Sequence, residues 1–151
     1  MQMSKNTIYQ KAKRFMLKYP FTVAFRIRKH AKVASQFVGE DEEIKYVFVA
    51  QKNFGSFDFV NTNIIVLTDK RLIVATKRIV FGYFFRMITP DMFNDLTIKK
   101  GLFFGSVLID TVKERIALSN IDPSALPELE TIVSEYMMEE KRKYINEINS
   151  K

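Results

Sequence analysis

The 151-residue chain has no cysteine and no tryptophan, a single histidine, four prolines and five glycines. Without cysteine there is no disulfide, no thiol nucleophile and no thiolate-held zinc, and a reducing compartment is the natural setting. His30 has no second histidine and no carboxylate within a helical turn, so it assembles no metal site. Ser56, Ser106, Ser119 and Ser124 lack the strand-turn-helix context of an exposed nucleophile. Asp91 and Asp95 read as a cap and a strand entry, not as general acids. The chain is therefore expected to be no enzyme and to use no cofactor. The apolar stretch from Tyr19 to Phe25 is too short for a cleaved leader, and no run approaches a membrane span. A cytoplasmic chain is expected, peripheral at the inner face of the membrane where it meets lipid.

Negative charge is missing from the start of the chain. Residues 1–38 carry nine of the 24 Lys and Arg and no Asp or Glu. The remaining residues carry fifteen positive and seventeen negative side chains, so the net +7 belongs wholly to the first quarter. Such asymmetry points to an anionic partner or surface.

Residues 6–19 have helical spacing, with Ile8, Ala12, Phe15, Met16 and Tyr19 on one side and Lys11, Arg14 and Lys18 on the other. After Pro20 a second helix is expected from Phe21 to Val38, closed by Gly39. Val23, Ala24, Ile27, Ala31, Ala34 and Val38 share its apolar arc. Arg26, Arg28, Lys29 and Lys32 lie opposite, with Phe21 and Phe25 among them. The acidic run Glu40-Asp-Glu-Glu43 separates this basic helical hairpin, residues 1–39, from the rest, residues 40–151.

Beyond it the texture changes to strands. Ile44–Ala50 comes first, then a connection over 51–61 with Phe54, Phe57 and Phe59. Next is a hairpin from Asn63 to Thr76, where two runs rich in Ile, Val, Leu and Thr flank Asp69-Lys70. The Ile64/Val66 face of that hairpin is too apolar to stand in water, and the N-terminal helices are expected to cover it. Tyr83–Ile88, Leu96–Lys99, Leu102–Asp110 and Glu114–Leu118 complete seven strands, with a bend or bulge at Gly105-Ser106. A turn at 123–126 leads into a helix from Pro127, striped by Leu129, Ile132, Val133, Tyr136 and Met137. Seven meandering strands and one amphipathic helix pack best as an α+β fold. The expected form is a partly open antiparallel β-barrel, or orthogonal sandwich, plugged at one end by the helix.

Leu67-Thr-Asp-Lys-Arg-Leu72 resembles the hairpin of bacterial pleckstrin-homology (PH)-like domains, the YokE-like branch in particular. The acidic entry Gly39–Glu43, the Gly-Leu-Phe-Phe-Gly at 101–105 and the closing helix are similar too. The resemblance covers residues 40 to about 138. It implies an interaction or scaffold module with no catalytic residue or cofactor, and its ring-forming relatives imply self-association. The charged tail Glu139–Lys151, longer than a barrel plug requires, points the same way. Eukaryotic phosphoinositide binders carry several cations across the first two strands; here only Lys45 and Lys52 stand there.

Function is therefore sought in the basic hairpin. Lys11, Arg14 and Lys18 on the first helix and Arg28, Lys29 and Lys32 on the second are the candidate polyanion-binding rows, presented to one plane. Phe21 and Phe25 are the candidate membrane or partner contacts. The expected partner is an anionic lipid surface or a protein; the second reading is nucleic acid held through its phosphates.

Overall fold

The computed structural model describes residues 2–52 and 62–150. The Phe54, Phe57 and Phe59 connection lies outside the described residues. Two helices, α1 (Gln2–Lys18) and α2 (Ile27–Ser35), precede strands β1 (Ile44–Gln51), β2 (Thr62–Thr68), β3 (Leu72–Lys77) and β4 (Tyr83–Ile88). Strands β5 (Phe93–Lys100), β6 (Gly105–Thr111) and β7 (Arg115–Ile121) follow. All pairs are antiparallel, in the order β4-β3-β2-β1-β7-β6-β5. The fold is PH-like; β5 begins at Phe93, ahead of the expected Leu96, and β6 begins at Gly105, beyond the expected Leu102.

Every residue of β2 is buried, so both of its faces are covered. Ile64 lies opposite Ala75, and Ala75 opposite Phe85; Phe85 stacks on Phe37, just past α2, at 3.7 Å between ring centroids. That outer face therefore carries α2, whose Ala31 and Ala34 are fully buried. The other face, with Phe48, Ile65, Leu67 and Leu72, joins Phe93, Ile109 and Leu118 in the core. Among the described residues β1 pairs with β7 at Gln51 and Ser119, at the far end of the strand from Ile44. Phe15 of α1 packs on β1, its ring 6.3 Å from Tyr46 and 6.1 Å from Phe48.

The second helix is shorter than its periodicity suggests. Residues 21–26 form a non-helical strap that follows the turn at Pro20-Phe21, and the helix begins only at Ile27. Alternate N–H groups of the strap find partners outside it: Phe21 on Asp122 Oδ2 at 3.3 Å, Val23 on the Asn120 carbonyl at 2.9 Å, Phe25 on Thr62 Oγ1 at 3.0 Å. Arg26 then takes a left-handed φ of 58°, which breaks any helix running through it. Gly39 is likewise no helix cap, since α2 stops at Ser35; its N–H donates to Glu42 Oε1 at 2.9 Å.

The hairpin turn is wired to the acidic run. Thr68 Oγ1 accepts from the N–H groups of Lys70 and Arg71, which folds 68–71 back on itself. Asp69 Oδ1 accepts the Glu43 N–H at 2.9 Å, and Lys70 pairs with Asp41 at 3.0 Å. Arg71 grips Glu42 with two parallel bonds of 2.9 Å, while Thr68 Oγ1 donates to the same carboxylate. The Glu42 side chain is 1% exposed.

On the second half, Gly105 sits at the register shift between β6 and β7. A Cβ there would stand 2.7 Å from Leu126, so the bulge and the missing side chain together admit the closing helix. That helix starts at Pro123–Ala125, where Asp122 accepts the Ser124 N–H at 3.0 Å. It continues as α3 (Leu126–Leu129), one wide π turn over Glu130–Ser134, and α4 (Glu135–Asn149). Leu126, Leu129, Val133 and Met137 are buried; Tyr144, Ile145 and Ile148 of the charged tail are exposed.

Removing one partner of a buried ion pair strands the other charge, a loss of about 3–5 kcal/mol. Glu42→Ala should cost that much in urea unfolding. Replacing the pair together, Glu42→Leu with Arg71→Met, should recover most of the loss.

Candidate functional site

The predicted basic residues, Arg28 apart, line two different cavities. Lys11, Arg14 and Lys18 line a cavity of about 240 Å³ between α1, β1 and α3, together with Lys45, Tyr46 and Glu128. Lys18 is already engaged there, 2.5 Å from Glu128 Oε1, while Tyr46 donates its hydroxyl to Glu128 Oε2 at 2.7 Å. Burial raises the Glu128 carboxyl, but the bonds from Lys18 and Tyr46 outweigh it and hold it below its ordinary range. The Tyr46 phenol is pushed far up, by burial first and then by the Glu128 charge, so it remains a donor. Arg28 turns toward α1 and lies over the Tyr9 ring at 4.6 Å, with Lys13 also over that ring at 5.4 Å.

Lys29 and Lys32 belong to a different place. They line a groove of about 550 Å³ between α2 and the β3–β4 turn, joined there by Arg26 and Lys77. Among the described residues no carboxylate lines it; the rest of the wall is Val33, Gln36, Ile79, Gly82 and Tyr83. Arg26 spans the groove floor, its guanidinium donating to the Lys77 carbonyl at 3.1 Å and, at 3.4 Å, to that of Arg78. The left-handed backbone at Arg26 thus aims a cation across to β3. Arg26 shares the charged arc read from the sequence for Lys29 and Lys32 but is not among the candidate site residues named there, and Lys77 escaped sequence reasoning because it joins them only through the sheet.

Of the two aromatic candidates, Phe21 is 71% exposed beside Asp122, whereas Phe25 is half-buried in the strap. A third cavity, about 240 Å³, brings Lys52, Arg86 and Arg115 together beside Asn63, Thr76 and Phe84. Two of those cations carry acids, Arg86 with Glu114 at 3.2 Å and Arg115 with Asp110 at 3.4 Å.

His30 seats α2 on the sheet directly under the groove. Its Nδ1 accepts the Lys77 N–H at 2.8 Å, and its Nε2 is buried without a hydrogen-bond partner. Burial lowers the ring's pKa from 6.5 to about 4, the nearby Arg26 charge adds to this, and the Phe25 carbonyl partly opposes it. Among the described residues no group of three His, Cys, Asp or Glu gathers as a metal site. No helix of the described residues is long and apolar enough to cross a membrane.

A histidine kept neutral in the fold favours folding fully above pH 6.5 and loses that advantage as pH falls toward 4. Unfolding free energy should therefore drop by roughly 3 kcal/mol across that window. Most of the window lies above the range of Asp41, Glu42 and Glu128, whose carboxyls sit below their ordinary values. His30→Gln, which keeps an acceptor for the Lys77 N–H, should flatten the slope in chemical denaturation between those pH values. An unchanged slope would place the titrating group elsewhere.

Residues 38–135 match the bacterial PH domain family. Among solved structures, a pleckstrin homology domain from Shewanella amazonensis SB2B is similar, with 16% identity and a TM-score of 0.47. That similarity covers 72% of this chain and 85% of the other. No curated protein matches. PH domains are in general interaction modules for proteins or lipids. The family match takes in every strand and the start of the closing helix, and stops short of the basic N-terminal segment: the chain belongs to the bacterial PH domain family.

Proposed function

We propose that this chain is a non-enzymatic PH-like module held by electrostatic attraction at an anionic membrane surface, and that its N-terminal residues 1–39 are the attaching part. One observation carries the reading. Among the described residues, six of the fifteen cations of residues 40–151 make ion pairs (Lys45 with Glu43, Lys70 with Asp41, Arg71 with Glu42, Arg86 with Glu114, Arg115 with Asp110, Lys143 with Glu140), against one of the nine in residues 1–38, Lys18 with Glu128. Arg26, Lys29, Lys32 and Lys77 instead converge on one groove, and none of them makes an ion pair among the described residues.

Like charges brought together repel, and they are tolerated where solvent or an opposite charge screens them. Near an anionic bilayer each such cation contributes about 1 kcal/mol. Lys29 and Lys32 are the principal contacts in this reading. Lys11 and Arg14 add to the general attraction, while Lys18 and Arg28 contribute less because Glu128 and Tyr9 hold them. Self-association through the exposed Tyr144, Ile145 and Ile148 of the tail would multiply the attachment.

The test is co-sedimentation of the full chain with vesicles of phosphatidylcholine alone or with added phosphatidylserine. Binding should require phosphatidylserine and weaken steeply with salt, since the Debye length is about 8 Å at physiological ionic strength. Lys29→Gln with Lys32→Gln should weaken it roughly 10–30-fold without changing the folded spectrum. Vesicle binding that ignores phosphatidylserine would overturn the reading. Equal or tighter binding to RNA or DNA at matched salt would shift it to nucleic-acid phosphates.

A further inference from the structure

We propose that the turn between β3 and β4 is a membrane wedge. In this assignment Ile79, Val80 and Phe81 enter the interfacial layer of an anionic bilayer while Lys29, Lys32, Lys77 and Arg78 hold lipid phosphates around them. The inference rests on the membrane reading above and deepens it by naming the inserting element.

Ile79, Val80 and Phe81 are 55%, 80% and 78% exposed. Single apolar side chains on a surface are ordinary; three in succession at a protruding tip are not. The last paired residues of the hairpin are Lys77 and Tyr83, so the tip projects beyond the sheet. It is also well formed. The Arg78 N–H donates to the Gly82 carbonyl at 3.1 Å, and Gly82 has a φ of 85°, a conformation that a side chain at that position would disfavour. The Arg78 guanidinium lies over the Phe84 ring at 4.5 Å, and Arg26 ties the Lys77 carbonyl to the start of α2. A tip fixed in this way loses little conformational freedom on binding.

The charge around the tip selects the occupant. Ile79 lines the same groove as Lys29, Lys32 and Lys77, and among the described residues no carboxylate lines it. A second copy would bring two basic tips together and be repelled. A polynucleotide would satisfy the cations but offers no apolar phase to Ile79 and Val80. An anionic bilayer supplies phosphates at the depth of the cations and hydrocarbon just beneath them, which matches the layering here. The cations of α2 lie outside the family match at 38–135, so this wedge is a property of this chain's N-terminal addition acting with its hairpin.

The chain has no tryptophan, so Phe81→Trp places a single reporter at the tip. On vesicles containing phosphatidylserine its emission should shift to the blue and be quenched by brominated acyl chains; with phosphatidylcholine alone it should do neither. Val80→Ser with Phe81→Ser should reduce vesicle binding about tenfold while leaving the folded spectrum unchanged. Binding by the unsubstituted chain, with unshifted emission from Phe81→Trp and full binding by the double serine variant, would overturn the wedge and leave the electrostatic reading standing. Absence of binding by the unsubstituted chain at low salt would overturn both. A blue shift produced by RNA and not by phosphatidylserine vesicles would also overturn the wedge.

Discussion

The bidentate pair between Arg71 and Glu42 is the constraint on which the arrangement depends. An ionised carboxylate with 1% of its side chain exposed is costly to desolvate, and it is tolerated only when its lone pairs are filled. Here they are filled from three elements: the Gly39 N–H before β1, the Thr68 hydroxyl in the turn, and the Arg71 guanidinium at the start of β3. Arg71 in turn donates to the Phe37 carbonyl at 2.6 Å and reaches the Met87 sulfur on β4. Burial raises the Glu42 carboxyl, but Arg71, Thr68 and Gly39 together carry it below its ordinary value. One ion pair therefore joins the end of the N-terminal segment, the entry to the barrel and the central hairpin. Its value lies less in net stability than in fixing which pieces meet.

This explains which parts of the fold were legible. The hairpin of β2 and β3 was plain from alternating β-branched residues around a polar break, and its turn chemistry follows from Thr68 and Asp69. The Glu40–Glu43 run looked like a boundary marker; its role as the partner of Asp69, Lys70 and Arg71 depends on contacts 26 to 29 positions apart. The strap was misread for a specific reason. Val23 and Ala24 fall acceptably on a helical wheel, but Phe21, Thr22, Val23 and Phe25 are aromatic or β-branched and suit non-helical backbone equally well. Only the acceptors at Asn120, Asp122 and Thr62 decide between the two, and no local pattern reveals them.

The site was legible to a similar degree. Charge counting located the basic excess in the first 38 residues, and Lys29 and Lys32 stand on an exposed helix face as their spacing required. A helical wheel cannot say what each cation faces across space. Lys18 meets Glu128, 110 positions away, and Arg28 meets Tyr9. Residues with one periodicity thus part into a half-neutralised cavity and a groove that no acid of the described residues lines.

Helix α2 shows why fold and site cannot be separated. It has nine residues, well below the roughly 12–15 at which an isolated helix becomes marginal in water. Its helicity therefore comes from the sheet, through buried Ala31 and Ala34 and through His30 on the Lys77 N–H. Those same contacts set Lys29 and Lys32 against Lys77 and the β3–β4 turn. Detached, the segment would be a flexible basic peptide whose cations spread apart to relieve their repulsion. Docked, the sheet holds them together against that repulsion, and part of the free energy of covering an apolar face maintains a concentrated positive surface. The apolar inside of α2 and the charged outside are two halves of one arrangement: burial of the first holds the second together.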